Sequence, residues 1–475
     1  MKGEREKNLF KNTIIISIGT ICTKLITFFL LPLYTGVLST EEYGIVDLLN
    51  TLAILVIPIV TFQVEHAVYR NLIENRNNDN EKNRIITNGI VSVCYQIFMF
   101  LALFIILSLF IKNQYKFYLL IIIIFNIFSS LFMQIARGLG DNKKYSISGF
   151  LNALTTIIFS VLFLVVVKLN VTGMLIGIMA GHFASMIYLF ISLKISKYFR
   201  YKLFNWTTTK QLWKYSLPLV PNAISWWIFG SSDRVIVSII LGLSMNGILS
   251  AAAKFSAMYV TIYNIFNVSW TESISLHIND NDISSYFSKM FDIIMKLFIA
   301  MAITLISLMP FIYPIMINKD YQYGINIVPI LLLGSLFNIV VGLISAIYIA
   351  KKNTKAIANT SIFSAVTNII IHLVLIKYIG LYAAAVSTFA SYFIMAMYRI
   401  FDVNKKYFKI NINKKVVMIS ILMFLFVISL FYINNIYLNI MSIIISVIFS
   451  IVLNLSSIKE FYILISSRIK KRRMI

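Results

Sequence analysis

Residues 13–34 read TIIISIGTICTKLITFFLLPLY: one charge, Lys24, and no carboxylate in an otherwise apolar run. About 20 such residues in an α-helix cross the hydrocarbon of a bilayer, so this run reads as a membrane span. The charged stretch before it, MKGEREKNLFKN, leads into it without a small-residue cleavage site. That pattern is expected of a first span rather than of a removed signal peptide. The rest of the chain has the same character. Its 475 residues are 59% hydrophobic and 13% charged, with a mean hydropathy of +0.85, whereas soluble domains carry about 25% charged residues. Lipid must be the main solvent. A soluble enzyme, a secreted disulfide scaffold and a disordered protein are excluded. Cys22 and Cys94 both lie inside apolar runs, where neither reads as a disulfide partner or metal ligand.

Fourteen apolar runs have the length of a span. They lie near 13–34, 44–68, 86–111, 117–136, 147–167, 172–193, 214–241, 248–273, 291–316, 324–349, 358–376, 380–400, 416–433 and 436–455. The net charge of +24 would suggest nucleic acid in a soluble protein. Here the cations cluster between spans, the pattern of membrane topology. Of the 42 Lys and Arg, 33 fall in the even-numbered loops and at the two termini, and five on the other side. The positive-inside bias therefore places both termini and the even loops of a multi-pass membrane protein in the cytoplasm.

The two halves of the chain resemble each other. LNALTTII at 151–158 matches FSAVTNII at 363–370; Asn142-Lys143-Lys144 matches Asn353-Thr354-Lys355; Leu38-Ser39 matches Leu243-Ser244. A period of six spans starts each half from the same face of the membrane, giving a parallel repeat about an axis along the membrane normal. The expected architecture is an all-α polytopic membrane protein of about 14 transmembrane helices. An N-terminal six-helix lobe covers 1–193, a cytoplasmic amphipathic link 194–213 and a second six-helix lobe 214–401. Two extra helices and a basic tail occupy 402–475. Two lobes around a midplane cavity are a transporter plan, and all seven prolines lie within or at the ends of spans.

Ionisable residues inside a span are costly and usually face a cavity. Four cations lie inside spans, away from their ends: Lys24, Arg234, Lys254 and Lys296. Lys296 follows Asp292 by one helical turn, the spacing of a local ion pair. Lys24, Arg234 and Lys254 come from both halves and describe a pocket for an anion. Phosphate suits it, because Arg offers a two-pronged fork and Lys a point charge. The alternative is pairing across helices with Asp47, Glu65, Asp233, Glu272 or Asp292. Asp233 precedes Arg234, but sequence neighbours point about 100° apart on a helix and need not pair.

Glu65, His66 and Arg70 close the second span and read either as an inner gate or coupling group or as an interfacial cluster. Glu272 is a further gate or coupling candidate. Trp226 and Trp227 read as lining a sugar pathway or as interfacial anchors, like Trp213 and Trp270. His182 and His372 lack ligand-spaced companions. The basic and aromatic run KISKYFRYKLFNWTTTK, 194–210, reads as lying on the inner leaflet. Nothing calls for a cofactor or metal: no P-loop, metal-ligand cluster or Gly-x-Ser-x-Gly turn is present, and no outer loop is long enough for a catalytic domain. The expectation is a transporter, not an enzyme.

The stretch KLITFFLLPLYTGVLSTEEYGIVD, Lys24 to Asp47, resembles the first-span signature of bacterial polysaccharide flippases, the Wzx-type O-antigen and capsule transporters. Ser232-Asp233-Arg234 with Leu241-Gly-Leu-Ser244 is similar to their seventh span, and Ala253-Lys254 to the start of their eighth. Ala136-Arg137-Gly138-Leu139 with Lys144-Tyr145 resembles their loop between spans 4 and 5. The resemblance covers spans 1–12. It implies the MATE-like fold of the multidrug/oligosaccharidyl-lipid/polysaccharide exporters and an undecaprenyl-diphosphate-linked oligosaccharide as substrate. That substrate moves from the inner to the outer leaflet, with cavity cations holding the diphosphate. On this reading Lys24, Arg234 and Lys254 bind the diphosphate. A polysaccharide polymerase and glycosyltransferases are the implied partners, and nucleic acid is not. Two alternatives stay open: a multidrug efflux pump of the same fold, which typically uses carboxylates in the N-terminal lobe, often in span 1, where this chain carries Lys24, and a membrane polymerase or ligase.

Overall fold

The structure is a computed structural model and describes residues 27–110 and 112–473. Among these residues there is no strand. In chain order the helices are α1 (Leu31–Val37), α2 (Thr40–Thr61), α3 (Val64–Glu74), α4 (Asp79–Ser108), α5 (Lys116–Leu139) and α6 (Asn142–Val161). They continue with α7 (Asn170–Ser192), α8 (Ile195–Tyr198), α9 (Trp206–Ser216), α10 (Val220–Ile240), α11 (Leu243–His277) and α12 (Ile283–Met316). The last are α13 (Val328–Ala350), α14 (Thr354–Ile379), α15 (Tyr382–Lys406), α16 (Lys414–Ile433) and α17 (Ile436–Arg473). Twelve helices among the described residues are long and apolar enough to cross a membrane, and they account for twelve of the fourteen expected spans. The other two are the first, described only from residue 27, and the eighth, α11. That helix is 35 residues long, but Asn246, Ser250, Lys254, Asn264 and Asn267 dilute its apolar character.

The chain forms two compact units, Met1–Ser250 and Ala251–Ile475. In the first, α7 packs on α6 and α5, α3 on α5 and α4, and α10 on α2. The Ser185 hydroxyl is shared between Ser129 (2.8 Å) and Ser148 (2.6 Å), which ties α5, α7 and α6 together without exposing a polar group to lipid. The unit runs past residue 213 to Ser250 because α10 and the first two turns of α11 pack against α2.

α2 begins with a capping box. The Ser39 Oγ accepts from the Glu42 N–H at 3.2 Å, and Glu42 Oε2 accepts from the Ser39 N–H at 2.9 Å. Both exchanges satisfy amides that a helix start leaves bare. The expected continuous span over 44–68 is corrected. The helix stops at Thr61, and Phe62 and Gln63 both take left-handed backbone (φ 50 and 59) before α3 starts at Val64. Neither is glycine, so each costs about 1–2 kcal/mol. Pro58, one turn earlier, has no N–H for the Ile54 carbonyl. The Thr61 hydroxyl accepts from the Gln63 N–H at 3.1 Å, and the Phe62 ring packs edge-on against Trp213 at 5.8 Å. These contacts hold the break.

The segment 194–213 is anchored on α4. Asn88 bridges the Leu203 carbonyl (3.0 Å), the Asn205 N–H (2.9 Å) and the Thr209 hydroxyl (3.1 Å), while the Trp213 indole donates to Ser92 at 2.6 Å.

In the second unit, α13, α14 and α15 converge on Arg399, whose residue is only 1% exposed. Its guanidinium donates to Thr360 Oγ1 (3.0 and 2.7 Å), Ser345 Oγ (2.6 Å), Ser361 Oγ (3.3 Å) and the Ile357 and Val341 carbonyls (3.3 and 3.4 Å). These acceptors are all neutral. The charge also lies over the Tyr348 ring at 5.9 Å, and Tyr348 donates to Asp402 at 2.8 Å. The repeat shows in the helix caps. Asp141 accepts from the Lys144 N–H at 3.1 Å and Asn353 from the Ala356 N–H at 3.2 Å, each opening the helix that the sequence match had paired.

Candidate functional site

Asp47 is the centre of a polar cluster in the first unit. Thr40, Gly44, Asp47 and Thr51 fall at i, i+4, i+7 and i+11 along α2, one helical stripe. Asp47 is 8% exposed. Its Oδ1 accepts from Arg234 Nη1 at 3.0 Å and from Ser250 Oγ at 2.7 Å. Arg234 pairs with this carboxylate from another helix and not with its sequence neighbour Asp233, as the angular offset allowed. The Asn246 amide donates to the Gly44 carbonyl at 3.0 Å and lies 3.5 Å from Asp47 Oδ2. On the same stripe the Trp227 indole donates to the Thr51 carbonyl at 2.8 Å, whereas Trp226 is exposed.

The helices meet closely here. Thr40 and Ser244 share a hydroxyl hydrogen bond of 2.6 Å. A Cβ on Gly44 would overlap the Leu243 carbonyl oxygen and lie 3.0 Å from the Gly247 nitrogen. Reciprocally, a Cβ on Gly247 would overlap the Thr40 carbonyl oxygen and lie 3.0 Å from the Gly44 nitrogen. Each glycine thus turns a Cα hydrogen toward the opposing carbonyl, the geometry of Cα–H···O contacts between membrane helices. Sequence reasoning missed Asn246, Ser250, Thr40 and Ser244. The readable signal was the i, i+4 pair Asn246 and Ser250 in an otherwise apolar helix start.

The remaining expected site residues lie elsewhere. Lys24 is outside the described residues. Lys254 and Glu272 sit further along α11 in the second unit, the first half-buried and the second exposed; Asp233 on α10 is half-buried. Lys296 pairs with Asp292 at 2.6 Å, as expected. Glu65, His66 and Arg70 lie on α3, beyond the end of span α2. Arg70 pairs within its own helix with Glu74 at 2.8 Å. Glu65 is 5% exposed, and burial pushes its carboxyl up to about 7. Burial, and then the charge of Arg137, hold the His66 imidazole below its ordinary value. His182 has Asn152 as a ring partner at 3.2 Å, and the Trp270 indole donates to the Leu343 carbonyl at 3.0 Å.

Residues 9–271, more than half of the chain, match the family described as polysaccharide biosynthesis protein. The chain belongs to that family. The resemblance read from Lys24 to Asp47 and from Ser232 to Lys254 is thereby borne out at the level of family, and both stretches lie inside the matched region. No curated protein matches the chain. Among solved structures, lipid II flippase MurJ in an inward closed conformation superposes at a TM-score of 0.72 with 18% identity, covering 94% of this chain and 100% of that one. An inward-facing multidrug resistance MATE family transporter of the MOP superfamily gives 0.66 at 11% identity, over 82% and 98% of the two chains. An outward-facing MATE family transporter gives 0.57 at 13%, over 83% and 95%. At these identities the likeness establishes the fold, and the fold is the expected MATE-like all-α membrane architecture.

Proposed function

We propose that the protein is a flippase for a polyprenyl-diphosphate-linked oligosaccharide, moving it from the inner to the outer leaflet of the bacterial cytoplasmic membrane by alternating access. The observation that carries this reading is the family match over 9–271, the stretch that contains Lys24, Asp47, Arg234 and Lys254. Two six-helix lobes, 1–193 and 214–401, rock about the link at 194–213, with both termini cytoplasmic. The lipid tail stays in the bilayer while sugar and diphosphate cross a hydrated cavity. Cations there lower the cost of carrying a dianionic headgroup through a region of low dielectric.

Within this scheme the Thr40–Gly44–Asp47 stripe and its partners Arg234, Ser244, Gly247 and Ser250 form the outer seal. By the loop assignment, residues 38–43 and 241–247 lie at the extracytoplasmic surface. With the seal shut, Asp47 neutralises Arg234. Opening it releases the guanidinium to the substrate diphosphate, so one pair serves as both latch and receptor. Delivered repeat units suit a downstream polymerase, and glycosyltransferases supply the substrate.

The MATE transporters share the fold, and multidrug efflux is the second reading. The residue that separates the two is Lys24, a cation in span 1, where cation-exporting pumps of this fold often use a carboxylate. The test is translocation in proteoliposomes of a fluorescent polyprenyl-diphosphate oligosaccharide, read with a membrane-impermeant quencher. Protein-dependent flipping that collapses in Lys24→Ala and Arg234→Ala supports the reading. Flipping that survives both changes removes the cavity assignment. No flipping by the unmodified protein, with an ion gradient applied and several headgroups tried, refutes the function.

A further inference from the structure

Arg137 closes α5, and its setting differs from that of every cation beside it. Its guanidinium carbon lies 4.7 Å from the Tyr69 ring centre, on α3, and 5.4 Å from that of Tyr145, on α6. Two aromatic rings from two other helices therefore hold the flat group in place. Two nearby cations are committed. Arg76 donates to the Gly138 and Arg137 carbonyls at 2.7 and 3.0 Å and so caps the end of α5. Lys144 pairs with Asp141 at 2.7 Å. Arg137 makes a single long hydrogen bond, to Gln134 on its own helix at 3.4 Å, and no ion pair among the described residues. Of the five N–H donors that an Arg carries, the others point from a half-buried, positionally fixed edge. Its charge is felt by His66, so this corner of α3, α5 and α6 is electropositive.

We infer that Arg137, clamped between Tyr69 and Tyr145, is a receptor for the diphosphate of the lipid-linked substrate at the cytoplasmic end of the first unit, ahead of the cavity. The inference rests on the flippase reading above. The chemistry follows from the clamp. With two rings within 4.7 and 5.4 Å of the guanidinium carbon, the group is held in place and its uncommitted N–H donors can present a two-pronged fork to two oxygens of a phosphoryl group. A headgroup leaving the inner leaflet exchanges water for a fork whose rotamer entropy is already spent. Lysine at this position keeps the charge and loses both the fork and the stacking.

The test uses the full chain in nanodiscs of zwitterionic lipid and measures equilibrium binding of three probes: a short-chain prenyl diphosphate, inorganic diphosphate and added phosphatidylglycerol. Variants are Arg137→Gln, Arg137→Lys and Tyr69→Phe, each with its unfolding temperature recorded. The expected result is a loss of prenyl diphosphate affinity of about 10- to 100-fold in Arg137→Gln, the range of a charge-assisted bond. A smaller loss is expected in Arg137→Lys, and none in Tyr69→Phe, which keeps the ring. Parallel loss of inorganic diphosphate binding supports recognition of the phosphoryl groups themselves. Unchanged prenyl diphosphate affinity in both folded Arg137 variants overturns the inference and leaves the flippase reading standing. Loss confined to phosphatidylglycerol overturns it in favour of a structural lipid. Absence of any prenyl diphosphate binding by the unmodified protein overturns the inference together with the substrate reading. If Arg137→Gln fails to fold, Arg137→Lys decides on the same criteria.

Discussion

Replacing Gly44 by alanine is the sharpest perturbation of the contact between α2 and α11. In a helix interior alanine is better than glycine by about 0.8–1 kcal/mol, so propensity alone would stabilise the variant. The new Cβ, however, overlaps the Leu243 carbonyl oxygen and lies 2.9 Å from its carbon. Restoring an ordinary C···O separation requires the helices to part by about 1.5 Å. Two Cα–H···O contacts worth about 0.5–1 kcal/mol each are then lost. The Thr40–Ser244 bond, 2.6 Å long, goes with them at about 1 kcal/mol. The charge-assisted bonds on Asp47 stretch, at about 1.5–3 kcal/mol. Setting the propensity gain against these losses leaves a net cost of roughly 2–5 kcal/mol, a shift of about 30-fold or more in the population of the closed contact. The assay is disulfide cross-linking between Thr40→Cys and Ser244→Cys, with Cys22 and Cys94 changed to serine, alongside thermal unfolding in detergent. Gly44→Ala and Gly247→Ala should both slow cross-linking by at least about 10-fold and lower the unfolding temperature. Gly230→Ala, with open space around its site, should do neither. Wild-type cross-linking and unfolding in both alanine variants would refute the close-contact reasoning.

Asp47→Asn removes the charge that Arg234 and Ser250 share and should cost about 1–3 kcal/mol, the penalty of a largely buried charge left unpaired. A double-mutant cycle with Arg234→Gln should show coupling of at least about 0.5 kcal/mol, and strict additivity would contradict the pairing. Arg399→Lys should destabilise by more than about 2 kcal/mol, since one ammonium cannot satisfy the hydroxyls and carbonyls of three helices. An unchanged denaturation midpoint would show that the network is dispensable. For Glu65, a carboxyl raised from 4.5 to about 7 by burial binds more protons folded than unfolded, so stability falls as pH rises from 4.5 through 7. Glu65→Gln should abolish that decline, with a gain on the order of 3 kcal/mol at pH 8. Parallel pH–stability curves for the two proteins would contradict it.

The all-α membrane fold was legible because it depends on one-dimensional quantities. Run length and hydropathy select spans, as at 117–136, realised as Lys116–Leu139. Asx caps such as Asp141 and Asn353 declare their helix starts through local hydrogen bonds. What stayed hidden was local geometry that apolar composition does not encode. The interruption after Thr61 needs two non-glycine residues in left-handed backbone, held by Trp213 from far along the chain. Arg399 sits at the end of an expected span among cations counted only as topology signals. Its burial depends on Thr360, Ser345 and Tyr348, which ordinary hydropathy reads as filler.

By itself the amino-acid order determined the solvent, the all-helical membrane architecture, the repeat and the family, because each is a sum over local free energies of transfer, capping and charge. Which cation meets which anion was decided only by the tertiary structure. Asp47 and Arg234 are 187 positions apart, and nothing in their neighbourhoods distinguishes Asp47 from Asp233 as a partner for Arg234. The choice comes from Gly44 and Gly247, which lack the Cβ that would keep two backbones apart and so let the carboxylate of one helix reach the hydroxyl and guanidinium of its neighbours. Packing at that distance is a property of surfaces brought together in three dimensions, and no single stretch of the chain contains it.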